Sequence, residues 1–473
     1  MDFINADYGK APNMDAYIDP KHPFILQRAQ YRQNIEASFQ GESIGSSAFA
    51  RRSFLALSAA SAAMLAMPFP ARAMAASDYP TVAKMSAKLV ADKKIPNALI
   101  SIGFGTGDSD VLAYGGRSFG DTSTVNMDSL WRVYSMTKPV TGMAAMILIG
   151  QGKLGLDQPI SDFIPEFAEM RVLTDPENSL DSVPAKTQIT VRHLLTHTAG
   201  LGYSIITKGP LLQEYLKNGI LPGVVSRFPL PGFENAVPVP DIATFAKRLA
   251  KLPLIAEPGT KWSYSISLDL LGHVIGLASG MSFEAFLQEN IFNPLGMNST
   301  FFQLPADKVS RFVDNYAGFN GALIPIDPAS ASIYLDKPAF AFGGAGLISS
   351  ARDFDRFLTM LANGGKFDDV QVMDSDMVKL GMSNLLPEGV VYKGFNNQEE
   401  PQGFGAGGRA GIGANAGQYG WGGAAGTVAA VDTKSGMRLV GMTQLMTEKN
   451  PFQNGLTDWV LTDLRAKMMA TAA

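Results

Sequence analysis

Apolar and polar positions along this chain follow two periods, and their order outlines a fold. Thr81 to Lys94 keeps Val82, Met85, Leu89 and Val90 on one side of a 3.6-residue repeat, which predicts an amphipathic helix. Ala98-Leu99-Ile100-Ser101-Ile102 is the short apolar run of a buried strand, and Asp110 to Tyr114 can return beside it. Val140 to Ile149 is apolar nearly all round, so it predicts a helix packed on every side and stopped by Gly150 and Gly152. From Asp157 to Leu335 the pattern is helical, with proline-containing loops. Thr190 caps a helix carrying His193 and His197, Asp241 caps another through Leu249, and helices follow at Leu268 to Leu277 and Phe283 to Glu289. Ser350 caps a helix from Ala351 to about Asn363. Phe404 to Tyr419 is glycine-rich and reads as loop. Trp421 to Val431 and Met437 to Met442 read as strands joined by the turn Asp432-Thr433-Lys434-Ser435-Gly436, and Asp458 to Met469 reads as a closing helix.

Sheet-forming sequence therefore lies at both ends, with helices between. The economical topology is α/β (α+β): residues 76–156 and 336–473 form an antiparallel sheet flanked by helices, and 157–335 form an inserted, mainly helical domain. Ahead of the sheet, Arg51-Arg52-Ser53-Phe54-Leu55 opens an alanine-rich apolar segment that runs to about Met67. Pro68, Pro70 and Ala71-Arg72-Ala73 follow. Two arginines, a short apolar core and an A-x-A site predict a twin-arginine export signal over 51–75, cleaved near Ala73 or Ala75. That route delivers the mature chain to the periplasm. Residues 1–50 read as an extension without a domain of its own. Within it, Gly41-Glu42-Ser43-Ile44-Gly45 matches G-x-S-x-G, but that motif works only between a strand and a helix. Polar sequence ahead of an export signal supplies neither.

Composition narrows the chemistry. Of 473 residues, 46% are hydrophobic and 17% charged, an ordinary globular balance with length enough for two lobes. The net charge of −4, with no long run of one sign, points away from nucleic acid and from anionic membranes as partners. The absence of cysteine excludes thiol catalysis, disulfides and cysteine-held metals. The histidines are His22, His193, His197 and His273, and none suits a Ser-His-Asp triad. His193 and His197 have the i, i+4 spacing of a helical zinc pair but lack the intervening glutamate and are flanked by leucines, so their role is structural. His273, in an apolar helix pattern, is a core or rim residue. Gly405-Ala406-Gly407-Gly408-Arg409-Ala410 imitates a dinucleotide fingerprint, but no strand is read leading into it. No metal or cofactor is called for.

Ser135 and Lys138 stand i, i+3 at the mouth of the apolar helix, which puts a hydroxyl and an amine on one helical face. An alcohol becomes nucleophilic when a neighbouring base takes its proton, and a desolvated lysine can do this or help a third group do it. Tyr264, at a loop-to-helix junction, can project into a cleft and act as base beside an ammonium group. Trp421-Gly422-Gly423-Ala424 places small residues where a backbone can approach a ligand closely.

These segments, in this order, resemble the penicillin-recognising serine hydrolases, which include class C β-lactamases, D-Ala-D-Ala carboxypeptidases and family VIII carboxylesterases. Ser135-Met136-Thr137-Lys138 matches S-x-x-K, Tyr264 falls at the tyrosine of Y-x-N, and Trp421-Gly422-Gly423 takes the place of K-T-G. His197-Thr198-Ala199-Gly200-Leu201 is similar to H-T-S-G-L, and Gly343-Gly344-Ala345-Gly346-Leu347 precedes the Ser350 helix as in the family. The resemblance implies that Ser135 forms an acyl-enzyme, that Lys138 and Tyr264 share the base role, and that the backbone N–H groups of Ser135 and Ala424 hold the oxyanion. It also implies that Trp421, Gly422 and Gly423 line the substrate. Two departures bear on substrate. Ile266 replaces the Y-x-N asparagine and Trp421 the K-T-G lysine, which removes polar recognition of an amide and a carboxylate. W-G-G is similar to the family VIII esterases, so the expected partner is a small or hydrophobic ester. The alternatives are a β-lactamase or D-amino-acid peptidase or amidase, favoured if Arg409 lies near Trp421, and a non-catalytic binding member.

Overall fold

A computed structural model describes residues 76–223, 225–227, 237–319, 322–394, 402–447 and 449–472. The N-terminal extension, the Arg51-Arg52 signal and the Gly41–Gly45 motif lie outside the described residues. In chain order the strands begin with β1 (Asn97–Phe104), β2 (Asp110–Gly115), β3 (Leu130–Arg132), β4 (Arg171–Leu173), β5 (Ser182–Pro184), β6 (Asn315–Phe319), β7 (Ala322–Asp327) and β8 (Ile348–Ser350). They continue with β9 (Lys366–Phe367), β10 (Val370–Gln371), β11 (Gly403–Phe404), β12 (Arg409–Ala410), β13 (Gln418–Gly422), β14 (Val428–Asp432), β15 (Met437–Met442) and β16 (Leu445–Met446). The principal helices are α1 (Pro80–Ala91), α2 (Thr137–Gly150), α3 (Val191–Leu195), α4 (Gly209–Lys217), α5 (Ile242–Leu249), α6 (Ser267–Ser279), α7 (Phe283–Leu287), α8 (Ala351–Ala362), α9 (Ser375–Gly381) and α10 (Pro451–Ala472).

The two ends of the chain meet in one antiparallel sheet of order β11-β12-β13-β14-β15-β1-β2. β1 is buried along nearly its whole length because both of its faces are covered. Leu99 joins the core that contains α2 and α8, whereas Ile100 and Ile102 join Val82 of α1 with Phe452, Leu456 and Val460 of α10. α1 and α10 are tied at their ends. α1 starts with Pro80 and has no side-chain cap of its own. Instead the Asp463 carboxylate of α10 accepts the orphan N–H groups of Thr81 and Val82 at 2.9–3.0 Å. α10 itself begins at Pro451 rather than at Asp458. Asn450 Oδ1 receives the N–H groups of Phe452 and Gln453, and Gly455 lies under the Trp459 ring.

α2 is the central helix the all-round apolar pattern predicts, buried from Thr137 to Leu148. The predicted caps Thr190, Asp241 and Ser350 all accept N–H groups at their helix starts. Between α2 and β8 lie α3–α7, together with the ribbon β4–β5 and the hairpin β6–β7. β6 also pairs in parallel with β16, and β3 pairs with β8. No single described helix is long and apolar enough to cross a membrane.

Three readings change toward the sheet's edge. Phe404 to Tyr419 is not simply loop, because it carries β12 and sits between β11 and β13. The glycines reflect close backbone approach: a Cβ on Gly142 of α2 would come within 2.0 Å of Ala406 O, and one on Gly407 within 2.3 Å of Lys138 O. Trp421 to Val431 is not one strand but two, β13 and β14, folded back on each other with Trp421 opposite Ala429. The dinucleotide-like Gly405–Ala410 is preceded by a strand after all, β11. It then enters another strand rather than a helix, so it presents no helix N-terminus to a phosphate.

Candidate active site

Ser135 stands where β3 ends and α2 begins. Tyr134, just before it, has φ +43°, a left-handed conformation that costs a bulky residue roughly 1–3 kcal/mol and persists only when its surroundings impose it. They do: Tyr134 is buried, Asn315 Nδ2 donates to its Oη at 2.9 Å, and Val133 N–H is held by Leu347 O at 3.1 Å. The sharp turn aims Ser135 out of an otherwise buried helix start.

Three groups converge on Ser135 Oγ. Tyr264 Oη lies 2.8 Å away and Lys138 Nζ 3.2 Å away, while Trp421 Nε1 donates to Tyr264 Oη at 3.2 Å. Lys138 Nζ also donates to Gly344 O at 2.7 Å and sits 4.5 Å from the centre of the Tyr264 ring. The structure thus brings together Ser135, Lys138, Tyr264 and Trp421 as the sequence reading expects. The indole N–H on the tyrosine oxygen is new, because sequence reading gives Trp421 only a place lining the substrate.

His197 does not lie on the helix with His193. α3 ends at Leu195, and His197 follows it at φ +56°, fully buried. There it grips the tyrosine segment from both sides. Its backbone carbonyl accepts Ser263 N–H at 2.9 Å and its Nδ1 accepts Ser265 N–H at 3.2 Å, with the ring 4.8 Å from that of Tyr264. Burial, aided by Lys138, holds its pKa well below the usual histidine value, so it is a neutral clamp. His193 contributes to the Thr190 capping box, and His273 is a half-buried rim residue of α6. Among the described residues no cluster of three metal ligands occurs.

Gly423 explains how the edge strand reaches the serine. A Cβ there would come within 2.3 Å of Val133 O, so only glycine lets the β13–β14 turn rest on the backbone leading to Ser135. Ala424 follows in that turn and is exposed. Ile266, in the place of a polar asparagine, is fully buried. Trp262, Tyr392, Phe404 and Trp421 form an aromatic wall beside Tyr264, with neighbouring ring centres 4.5–6.4 Å apart. Arg409 is opposite Gly420 in the β12–β13 register, beside this wall; burial lowers its pKa and Tyr392 opposes that shift.

One residue escaped the sequence reading. Asp269, in the first turn of α6, is completely buried; Oδ1 accepts Gly344 N–H at 2.9 Å, on the residue whose carbonyl holds Lys138. Burial pushes its pKa up to about 6, against the pull of the Lys138 charge and the Gly344 N–H. In sequence it is indistinguishable from an ordinary acid favoured at a helix start. Its native pKa exceeds the ordinary 3.8, so between about pH 4 and 6 the native state binds more protons than the unfolded chain. Stability from this group is therefore full below that window and falls as pH rises through it, by on the order of 3 kcal/mol. Asp269→Asn keeps an acceptor for Gly344 and is expected to remove that slope. Urea midpoints of both proteins at pH 4.5 and pH 8 check this, and parallel changes would refute it.

Comparison with known proteins identifies the family. The family model described as Beta-lactamase matches residues 82–461. Protein Rv1367c of Mycobacterium tuberculosis is 34% identical over 262 residues, covering 55% of this chain and 61% of that protein. Esterase EstB of Burkholderia gladioli is 31% identical over 253 residues, covering 50% of this chain and 58% of EstB. The chain thus spans less than two thirds of the length of these relatives. Among solved structures, EstCE1, described as a hydrolase with promiscuous acyltransferase activity, superposes with a TM-score of 0.65 at 24% identity over 81% of this chain and 99% of its own.

Proposed function

This chain belongs to the beta-lactamase family, and from that premise we propose that it is a serine carboxylesterase acting on small or hydrophobic esters. The observation that carries the reading is the convergence of Tyr264 and Lys138 on Ser135 Oγ, with Trp421 bonded to the tyrosine oxygen. Ser135 Oγ attacks the ester carbonyl as its proton passes to the Tyr264–Lys138 pair. The oxyanion sits between the N–H groups of Ser135 and Ala424, each such donor being worth about 3 kcal/mol in the transition state. The pair returns the proton to the departing alcohol, leaving an acyl-enzyme, and then activates water to release the acid. An alcohol in place of water would complete an acyl transfer. The aromatic wall and buried Ile266 suit an apolar ester and offer no counter-charge to a carboxylate. The Arg51-Arg52 segment makes periplasmic export part of the same reading.

Arg409, opposite Gly420 and so one residue along β13 from Trp421, favours a second reading, a β-lactamase or D-amino-acid peptidase or amidase whose substrate carboxylate meets that arginine. The two separate in one comparison. Full-length protein is expected to cleave p-nitrophenyl butyrate with a kcat/KM at least a hundredfold above that for a chromogenic cephalosporin. The reverse order would reject the esterase and install the second reading.

A further inference from the structure

A cavity of about 230 Å³ opens one residue beyond the carbonyl that holds Lys138. It is lined chiefly by Phe302, Tyr334, Phe340, Phe342, Ala345 and Gly346. Gly344, which binds Lys138 through its oxygen and Asp269 through its N–H, is the residue immediately before Ala345. The cavity wall is therefore an extension of the loop that fixes the catalytic ammonium. Phe340 and Phe342 stack with centres 3.9 Å apart, and Gly346 cannot carry a side chain, since its Cβ would come within 2.8 Å of both Phe302 and the Phe342 carbonyl. The acid in the lining, Asp336, is already engaged by Arg227 at 2.5 and 2.9 Å. An apolar group thus meets aromatic walls and no uncompensated carboxylate, the other charged residue of the lining being Lys337.

We infer that this cavity receives the acyl chain of the ester, and that the preferred acyl group is a medium-length aliphatic one of about six to eight carbons. The inference rests on the esterase reading above. Direction follows from the placement of groups around Ser135. The ester's oxyanion faces the Ala424 turn, and the leaving oxygen faces its proton source, Tyr264, with Trp421 and the aromatic wall behind. The acyl substituent has the remaining side, toward Gly344, Ala345 and Gly346. Length follows from volume. At ~30 Å³ for each water-sized volume, the cavity holds roughly seven or eight such units, and methylene groups occupy comparable space.

Each buried methylene contributes a factor of roughly four to transition-state binding. With the p-nitrophenol leaving group held constant, full-length protein is expected to favour hexanoate over acetate by up to about 250-fold in kcat/KM. Ala345→Phe fills the near end of the cavity and is expected to cut that hexanoate-to-acetate ratio at least tenfold. Phe340→Ala lengthens the cavity and is expected to raise decanoate relative to hexanoate, so the two variants move selectivity in opposite directions. Ratios unchanged in both variants, or a length dependence on the alcohol side of alkyl acetates instead, would overturn the assignment and leave the esterase reading intact. Failure of the unaltered protein to cleave any of these esters would remove the esterase reading, and this assignment with it.

Discussion

Ser135→Ala is expected to lower kcat/KM for an activated ester by about five to six orders of magnitude, the loss typical when a serine nucleophile is removed from an intact site. Nothing else in the described site can replace it. Oγ is the atom on which Tyr264 and Lys138 both converge, at 2.8 and 3.2 Å, and alanine leaves both without an object. Tyr264→Phe keeps the ring that packs on His197 and Trp421 and removes only the oxygen. Its expected loss is about a thousandfold, within the usual range for a positioned proton-transfer group. Residues that act as a unit lose activity non-additively, so the double variant should be no slower than Ser135→Ala alone. Steady-state kinetics with thermal denaturation of each variant provide the check. Persistent ester cleavage in Ser135→Ala would place the chemistry elsewhere.

The largest expected change in stability comes from Asp327→Ala, which should destabilise the protein by about 3–5 kcal/mol. Arg132, at the end of β3, has no solvent exposure. Its guanidinium reaches Asp327 Oδ2 at 2.6–2.7 Å, Val313 O at 2.6 Å and Asp327 O at 2.8 Å, and stacks 3.9 Å from the Phe312 ring. Ser332 Oγ and Ile333 N–H complete the Asp327 carboxylate. Removing that carboxylate strands a buried cation, the costly case for an interior ion pair. Because Arg132 lies just before the Tyr134 turn, ester cleavage should fall as well. The half-exposed pair Arg352–Asp128 is the control: Asp128→Ala should cost at most about 1 kcal/mol. Urea denaturation of both variants measures the contrast, and equal losses would contradict it.

The elements most legible in sequence are those whose signal is local. The helix behind Ser135 is apolar all round and is central, and the caps at Thr190, Asp241 and Ser350 act at the helix starts they mark. Misreadings cluster where a local signal had a distant cause. The glycines before Arg409 look like loop, yet they exist because that edge presses on the backbone of α2. The small residues after Trp421 look like one strand, yet they form a turn in which Gly423 lies against the Val133 carbonyl. His197 has helical spacing from His193 but lies past the end of the helix and clamps Tyr264 instead.

By itself the sequence determined the fold class and the pairing of the chain's two ends; its resemblance to the penicillin-recognising serine hydrolases marked Ser135, Lys138, Tyr264 and Trp421 as the residues to watch. Periodicity, caps and i, i+3 spacing are properties of neighbouring residues, and these are written directly in the order of the chain. Only the tertiary structure decided that the Trp421 indole binds the Tyr264 oxygen, that Asp269 and Lys138 share Gly344, and that Arg132 is sealed against Asp327. These partners are 75 to 206 residues apart. A buried polar group must find its complement wherever packing brings one within 3 Å, and that choice leaves no periodic trace in the sequence.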